Sequence, residues 1–350
     1  MAVERFDVNR LLAVGFLLWS LATAATGLVH GFAMLLVMRL ALGIGESVAF
    51  PCYSKIFARH LPEHHRGFAN AVITAGVKCG PAAGALGAGL LMVHYGWRPV
   101  FIAIGLLSLI WLPFWMNWMP RNEGLASSGI CPRVADILQQ RPFWGVCAGL
   151  FCGAYYLYFI LTWLPLYLVR EHHLSMEQMV KITALYYLVD AGAAVATGCL
   201  ADLCIRRGFN TTVVRKSAMA IGWTTAAIGL AACGLGAPGS YLGWLMISAA
   251  GNGIGMSGTF AFSQTLAGPQ AAGRWVGLQN GVGNLAGVIG PALTGFLVDR
   301  TGHFHVAIAL TAVMALLAAI NYVFFVGPLK QVAWLRPLET AFAPGVPEIV

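Results

Sequence analysis

The stretch GFANAVITAGVKCGPAAGALG (Gly67–Gly87) has a counterpart 210 residues later, GLQNGVGNLAGVIGPALTGFL (Gly277–Leu297). Gly67, Asn70 and Gly80-Pro81 of the first recur as Gly277, Asn280 and Gly290-Pro291 of the second, and Gly43 and Gly45 recur at the same offset as Gly253 and Gly255. Both stretches are predominantly apolar and match the roughly 20 residues that a helix needs to cross the hydrocarbon of a bilayer. A spanning unit that occurs twice implies two structural halves. Such duplication is a hallmark of carrier folds, whose binding site lies between the halves near the midplane.

Outward from these two stretches, ten segments have spanning length and composition: 11–29, 32–57, 69–93, 100–119, 143–169, 182–204, 218–235, 241–262, 276–298 and 306–326. The reading is an all-α membrane protein, a bundle of about ten transmembrane helices in two pseudo-repeated halves of four and six. Residues 1–120 form the first half, 121–142 a cytoplasmic linker, 143–327 the second half and 328–350 a proline-rich cytoplasmic tail without fixed order. With the N-terminus inside, fifteen Lys and Arg fall in inner segments and four in outer ones, so both termini are expected in the cytoplasm. The offset aligns residue 1 with about residue 211, leaving 143–169 and 182–204 without partners in the first half. Two N-terminal helices are therefore expected to be missing from the chain as written.

Composition supports the membrane reading and excludes others. Hydrophobic residues make up 59% and charged residues 10% of the chain, where a soluble domain carries about 25% charged. The formal charge of +8 is scattered between apolar runs rather than gathered in a stripe, which argues against nucleic-acid binding. Eight cysteines form no CxxC pair, so neither a zinc framework nor a disulfide one is suggested. The start, MAVERFDVNR, lacks the apolar core of a signal peptide. No GxxxxGK[ST] loop occurs, so ATP-driven transport is unsupported, and no cofactor or enzymatic nucleophile is indicated.

Local motifs carry a resemblance. ERFDVNR (Glu4–Arg10) and LADLCIRRG (Leu200–Gly208) resemble the acidic-basic loops of the major facilitator superfamily, and RLALGIGE (Arg39–Glu46) is similar to its fourth-helix pattern. Within that family, LTWLPLYL (Leu161–Leu168) and QNGVGNLAGVIGPALTGFLVDRTGHF (Gln279–Phe304) resemble the anion:cation symporters, which include carriers of galactonate, glucarate and hexuronates, and animal sialin. The resemblance implies a proton-coupled symporter of a small organic anion such as a sugar acid, monomeric, multi-pass in a bacterial inner membrane. Its first helix would carry an Asp-Arg pair, which this chain does not contain. Two rivals are a drug:proton antiporter, suggested by GVKCGPAAGALG, and a non-transporting remnant.

Charges at membrane depth cost roughly 2.5–3.5 kcal/mol on insertion scales and so require an explanation. Glu46 follows Gly43 and Gly45, which predicts a tightly packed, poorly hydrated carboxyl whose protonated form is favoured; the resemblance makes it the proton-coupling residue. Its structural alternative is pairing with Arg39, seven residues away. Arg39 either contacts substrate, snorkels or neutralises Glu46. Lys78, among small residues, either attracts the anion or pairs with Asp190 or Glu46. Asp190 is a second protonation candidate or a buried hydrogen-bond partner. The resemblance adds Ser257, Phe260 and Asn280 as substrate contacts; Tyr155, Tyr156, Tyr158 and Trp163 either line a sugar site or, as aromatic residues in membrane helices more often do, pack or form the interfacial belt. Glu63-His64-His65 and Glu171-His172-His173 lie on opposite sides of the membrane without i, i+4 spacing, so no metal site is expected.

Overall fold

The computed structural model describes residues 6–118, 132–236 and 239–334. Thirteen α-helices carry the fold, and no strand occurs among the described residues. In the first half, α1 (Val8–Thr26) is followed by α2 (Phe32–Glu46) with α3 (Ala49–His60), then α4 (Glu63–Tyr95), then α5 (Trp97–Ser108) with α6 (Trp111–Trp118). A short α7 (Val134–Leu138) precedes the second half: α8 (Arg141–Glu171), α9 (Met176–Arg206), α10 (Thr211–Leu235), α11 (Tyr241–Ser257), α12 (Thr259–Thr301) and α13 (His305–Ile320).

The breaks have local causes. The gap between α2 and α3 lies four residues before Pro51, and that between α5 and α6 four residues before Pro113. Proline has no N–H to bond the carbonyl four residues back, so the ladder is interrupted there. Both pairs nevertheless cross as single spans of 29 and 22 residues.

Eight stretches among the described residues are long and apolar enough to span, but the one over Tyr241–Thr301 has 61 residues. At about 1.5 Å per residue it cannot be one crossing. It reverses at Gly268, whose φ of 64° and ψ of 177° suit glycine alone, ahead of Pro269, which disfavours helical backbone in the residue before it. The Ser263 hydroxyl consequently meets Gln279 Oε1, although sixteen residues separate them. Divided there, and with α4, 33 residues long and glycine-rich, added, the described helices offer ten segments of spanning length.

The second half has the continuous core. Trp223, Tyr156, Tyr186 and Phe262 are fully buried there, and the Tyr156 hydroxyl joins Tyr186 at 3.0 Å and Ser248 Oγ at 2.5 Å. Tyr155 and Tyr156 are thus packing residues. Glycines set the helix spacing: a Cβ on Gly251 or Gly222 would collide with the backbone of α10 or α11, the close approach that small residues permit in lipid.

The expected tail differs from the one observed. Leu329 is buried, the Val332 N–H donates to the Leu266 carbonyl at 2.9 Å, and Trp334 Nε1 donates to the Ala267 carbonyl at 2.9 Å. Helix ends at a reversal leave free carbonyls, and the tail supplies donors to them. The remainder of the tail, from 335, residues 119 and 120 of the first half and linker residues 121–131 lie outside the described residues.

Candidate functional site

The two halves meet along α4 and α9, which run antiparallel. Gly67 faces Gly198 and Asp202, Ala71 faces Gly198, and Lys78 faces Asp190. A Cβ on Gly198 would stand 2.6 Å from Ala71 Cβ and 2.8 Å from the Gly67 carbonyl oxygen. Small residues therefore permit this contact, and polar ones fix it.

Hydrogen bonds and ion pairs between the halves join residues 54–78 to residues 190–265. They concentrate at the end of the bundle that carries the α3–α4 turn, the α9–α10 turn and the Gly268 reversal. Asp202 accepts from the N–H groups of Gly67 at 3.0 Å and Phe68 at 2.7 Å. Both donors lie in the second turn of α4, so this carboxylate pins the helix to α9 of the other half. Glu63 receives Arg215 at 2.8 Å, Arg66 at 2.8 Å and the Thr265 hydroxyl at 2.7 Å. Deeper in, Asn70 and Gln264 exchange hydrogen bonds at 3.0 and 3.1 Å, and Gln264 also reaches Ser54 at 3.3 Å.

Deepest is the pair that sequence singled out. Lys78 Nζ lies 2.7 Å from Asp190 Oδ2, with the two side chains 3% and 0% exposed. Asn252 Nδ2 donates to the same oxygen at 2.9 Å. Asp190 Oδ1 and Asn252 Oδ1 are buried without a protein partner, so the cluster keeps spare acceptor capacity. Lys78 faces the other half rather than lipid, as the cost of a lipid-facing ammonium requires.

The other candidates divide. Glu46 is exposed, which corrects the expectation of a tightly packed carboxyl. Gly45 does pack closely, against Gly15 and Trp19 of α1, but Gly43 has open space beside it; the two glycines point to different faces of α2. Arg39, also exposed, forms no contact ion pair with Glu46 and lies with its guanidinium 5.5 Å from the Phe101 ring centre. Phe260 stacks on Phe50 of the first half at 4.7 Å. Ser257 donates to the Ile254 carbonyl at 2.8 Å and lines a small cavity with Gly67 and Arg215. Asn280 is half-buried and its carbonyl accepts from Asn284 at 2.9 Å. Tyr158, half-buried and close enough to Glu46 to feel its charge, donates to Asn284 Oδ1 at 2.8 Å. Sequence reading missed Asn252, Asp202, Gln264 and Asn284. Asp202 stands in the quoted LADLCIRRG motif, which was a usable signal; the others are isolated amides.

The sequence profile of the Major Facilitator Superfamily matches residues 1–214 and again residues 182–348. The chain belongs to this family. Its relatives within the family are transporters rather than enzymes. The hexuronate transporter of Bacillus subtilis is 28% identical over 353 residues, covering 94% of this chain and 81% of the relative. A probable chloroplastic anion transporter of Oryza sativa subsp. japonica is 29% identical over 331 residues, covering 88% of this chain. The chain spans only 56% of that plant relative's length. A bacterial homologue of the iron transporter ferroportin, solved in an outward-facing state, shares the fold with a TM-score of 0.73 at 16% identity, over 93% of this chain and 80% of that one.

Proposed function

We propose that this major facilitator protein moves a small organic anion of the sugar-acid class across a bacterial inner membrane by proton symport, acting as a monomer with both termini cytoplasmic. The observation that carries the reading is a buried, incompletely satisfied Lys78–Asp190–Asn252 cluster at the innermost point of the contact between the halves. Breaking such a contact and remaking it is what alternating access demands, and a buried carboxylate that shares its partner with an anion site links proton and substrate occupancy.

Three further facts support it. The relatives' names include hexuronate and anion transporters. Lys and Arg crowd the end where the halves touch, at Lys55, Arg59, Arg66, Arg206, Arg207, Arg215 and Lys216, which supports reading that end as cytoplasmic and the conformation as outward-open. The Glu46, Tyr158 and Asn284 side chains stand clear of the contact. In this mechanism Glu46 and Asp190 exchange protons. Lys78 takes the substrate carboxylate once the halves part, and Arg39, Ser257, Phe260 and Asn280 complete the substrate path.

The test is paired counterflow and pH-gradient-driven uptake of labelled glucuronate by the full-length protein in proteoliposomes. Glu46→Gln mimics the protonated acid. Exchange is expected to survive in this variant while accumulation falls at least roughly tenfold, the scale of losing a positioned proton carrier. Equal loss of both, at matched protein levels, would assign Glu46 a structural role; undiminished accumulation would remove it from the mechanism.

A further inference from the structure

At the opposite end of the second half, Glu171, His303 and His305 converge. Glu171 is the last residue of α8, and the two histidines flank Phe304 in the turn between α12 and α13. Each offers a ligand atom, and the three atoms lie within 4.8 Å of one another. The sequence builds this turn in steps. Gly302, at φ 74°, ends α12, and Thr301 Oγ1 bonds the His303 carbonyl at 2.9 Å. Phe304 is buried against Trp163 and Tyr167 and donates its N–H to Glu171 Oε1 at 3.0 Å. Phe304 thereby anchors the turn over Glu171 with a histidine on either side.

The histidines are presented as ligands. His305 Nδ1 lies 2.9 Å from the Gly234 carbonyl oxygen. A carbonyl only accepts, so Nδ1 carries the proton and the Nε2 lone pair is available. Donation of the second ring nitrogen to a backbone carbonyl is how metal-bound histidines are commonly oriented. His303 Nδ1 stands 3.6 Å from Glu171 Oε1, and its side chain, 67% exposed, is free to turn inward. His172, adjacent to Glu171, is occupied otherwise: it contacts the Tyr167 hydroxyl at 3.0 Å and stacks on Tyr241 at 3.9 Å.

We propose that Glu171, His303 and His305 bind a divalent transition-metal ion of zinc-like character, which ties the end of α8 to the α12–α13 turn. Two imidazoles and one carboxylate, with a remaining position open to water, suit Zn2+ rather than Mg2+ or Ca2+, which favour all-oxygen shells. The three ligands come from one half, so the site is independent of the transport reading.

The experiment is calorimetric titration of Zn2+ into tag-free, chelator-stripped full-length protein in detergent, with thermal unfolding alongside. One saturable ion per chain is expected, together with a rise in Tm on Zn2+ that Mg2+ does not reproduce. His303→Ala, at an exposed side chain, and Glu171→Gln should each weaken binding at least roughly tenfold. Replacing His64 and His65, whose rings adjoin at 4.4 Å in the other half, should leave it unchanged. Absence of saturable binding, binding retained in both ligand variants, or loss on replacing His64 and His65 overturns the proposal.

Discussion

Lys78 and Asp190 show how a single contact can be costly and yet retained. Taking both charges out of water is expensive, and attraction at 2.7 Å repays that only in part. Removing one partner is worse, because the other stays buried and unpaired. Lys78→Met should therefore destabilise by about 3–5 kcal/mol, while Lys78→Met combined with Asp190→Leu should recover most of that loss. Thermal unfolding of the two single variants and the double in detergent measures the coupling. Additive losses would show that the pair contributes little of its own. Sequence marked both residues because charge at membrane depth is rare. It left open which partner each takes, since 112 residues separate them.

Among the elements, α12 departs furthest from a plain spanning helix. Its apolar runs stop at 262 and resume at 276 on either side of Gly268-Pro269, which signals a break but not how the two arms lie. Gly268 holds backbone angles that a side chain resists, and an added Cβ would also press on the Gln331 side chain. Gly268→Ala should cost about 1–3 kcal/mol, read as a lowered Tm, whereas Gln331→Ala, which removes only a movable neighbour, should cost far less. Equal effects would place the strain in the side-chain contact rather than in the backbone. The same element holds Gln264 four residues before the bend, where it faces Asn70 and Ser54.

Across the whole molecule, the halves are joined at one end by amides, ion pairs and the Asp202 carboxylate, and the balance between conformations depends on their sum. Gln264→Leu leaves Asn70 buried without its reciprocal partner and deletes three neutral hydrogen bonds of roughly 1 kcal/mol each. The population with this end parted should rise at least roughly tenfold. Spin labels at His60 and Arg206, both exposed at that end, should report it as a shift of distance distribution towards longer values in a background freed of native cysteines. An unchanged distribution would mean that Asp202 and the Glu63 cluster hold the contact without the amides.

Ten apolar runs, a repeat at 210 residues and the scatter of Lys and Arg determined class and fold before any coordinate. Each is a local property: lipid accepts a helix when its own backbone bonds are satisfied and its own side chains are apolar. Local reasoning also placed Lys78 away from lipid. The partners were decided elsewhere. Asp190 beside Lys78, Asp202 against the second turn of α4, Gln264 opposite Asn70 and Glu171 near His303 and His305 join residues 112 to 194 positions apart. Those distances collapse only when helices pack. The exposed Glu46 makes the same point in reverse: two neighbouring glycines suggested close packing, but the helix turns one of them towards α1 and the other towards open space, and the orientation of α2 against its neighbours, not its sequence, sets which face the carboxyl shares.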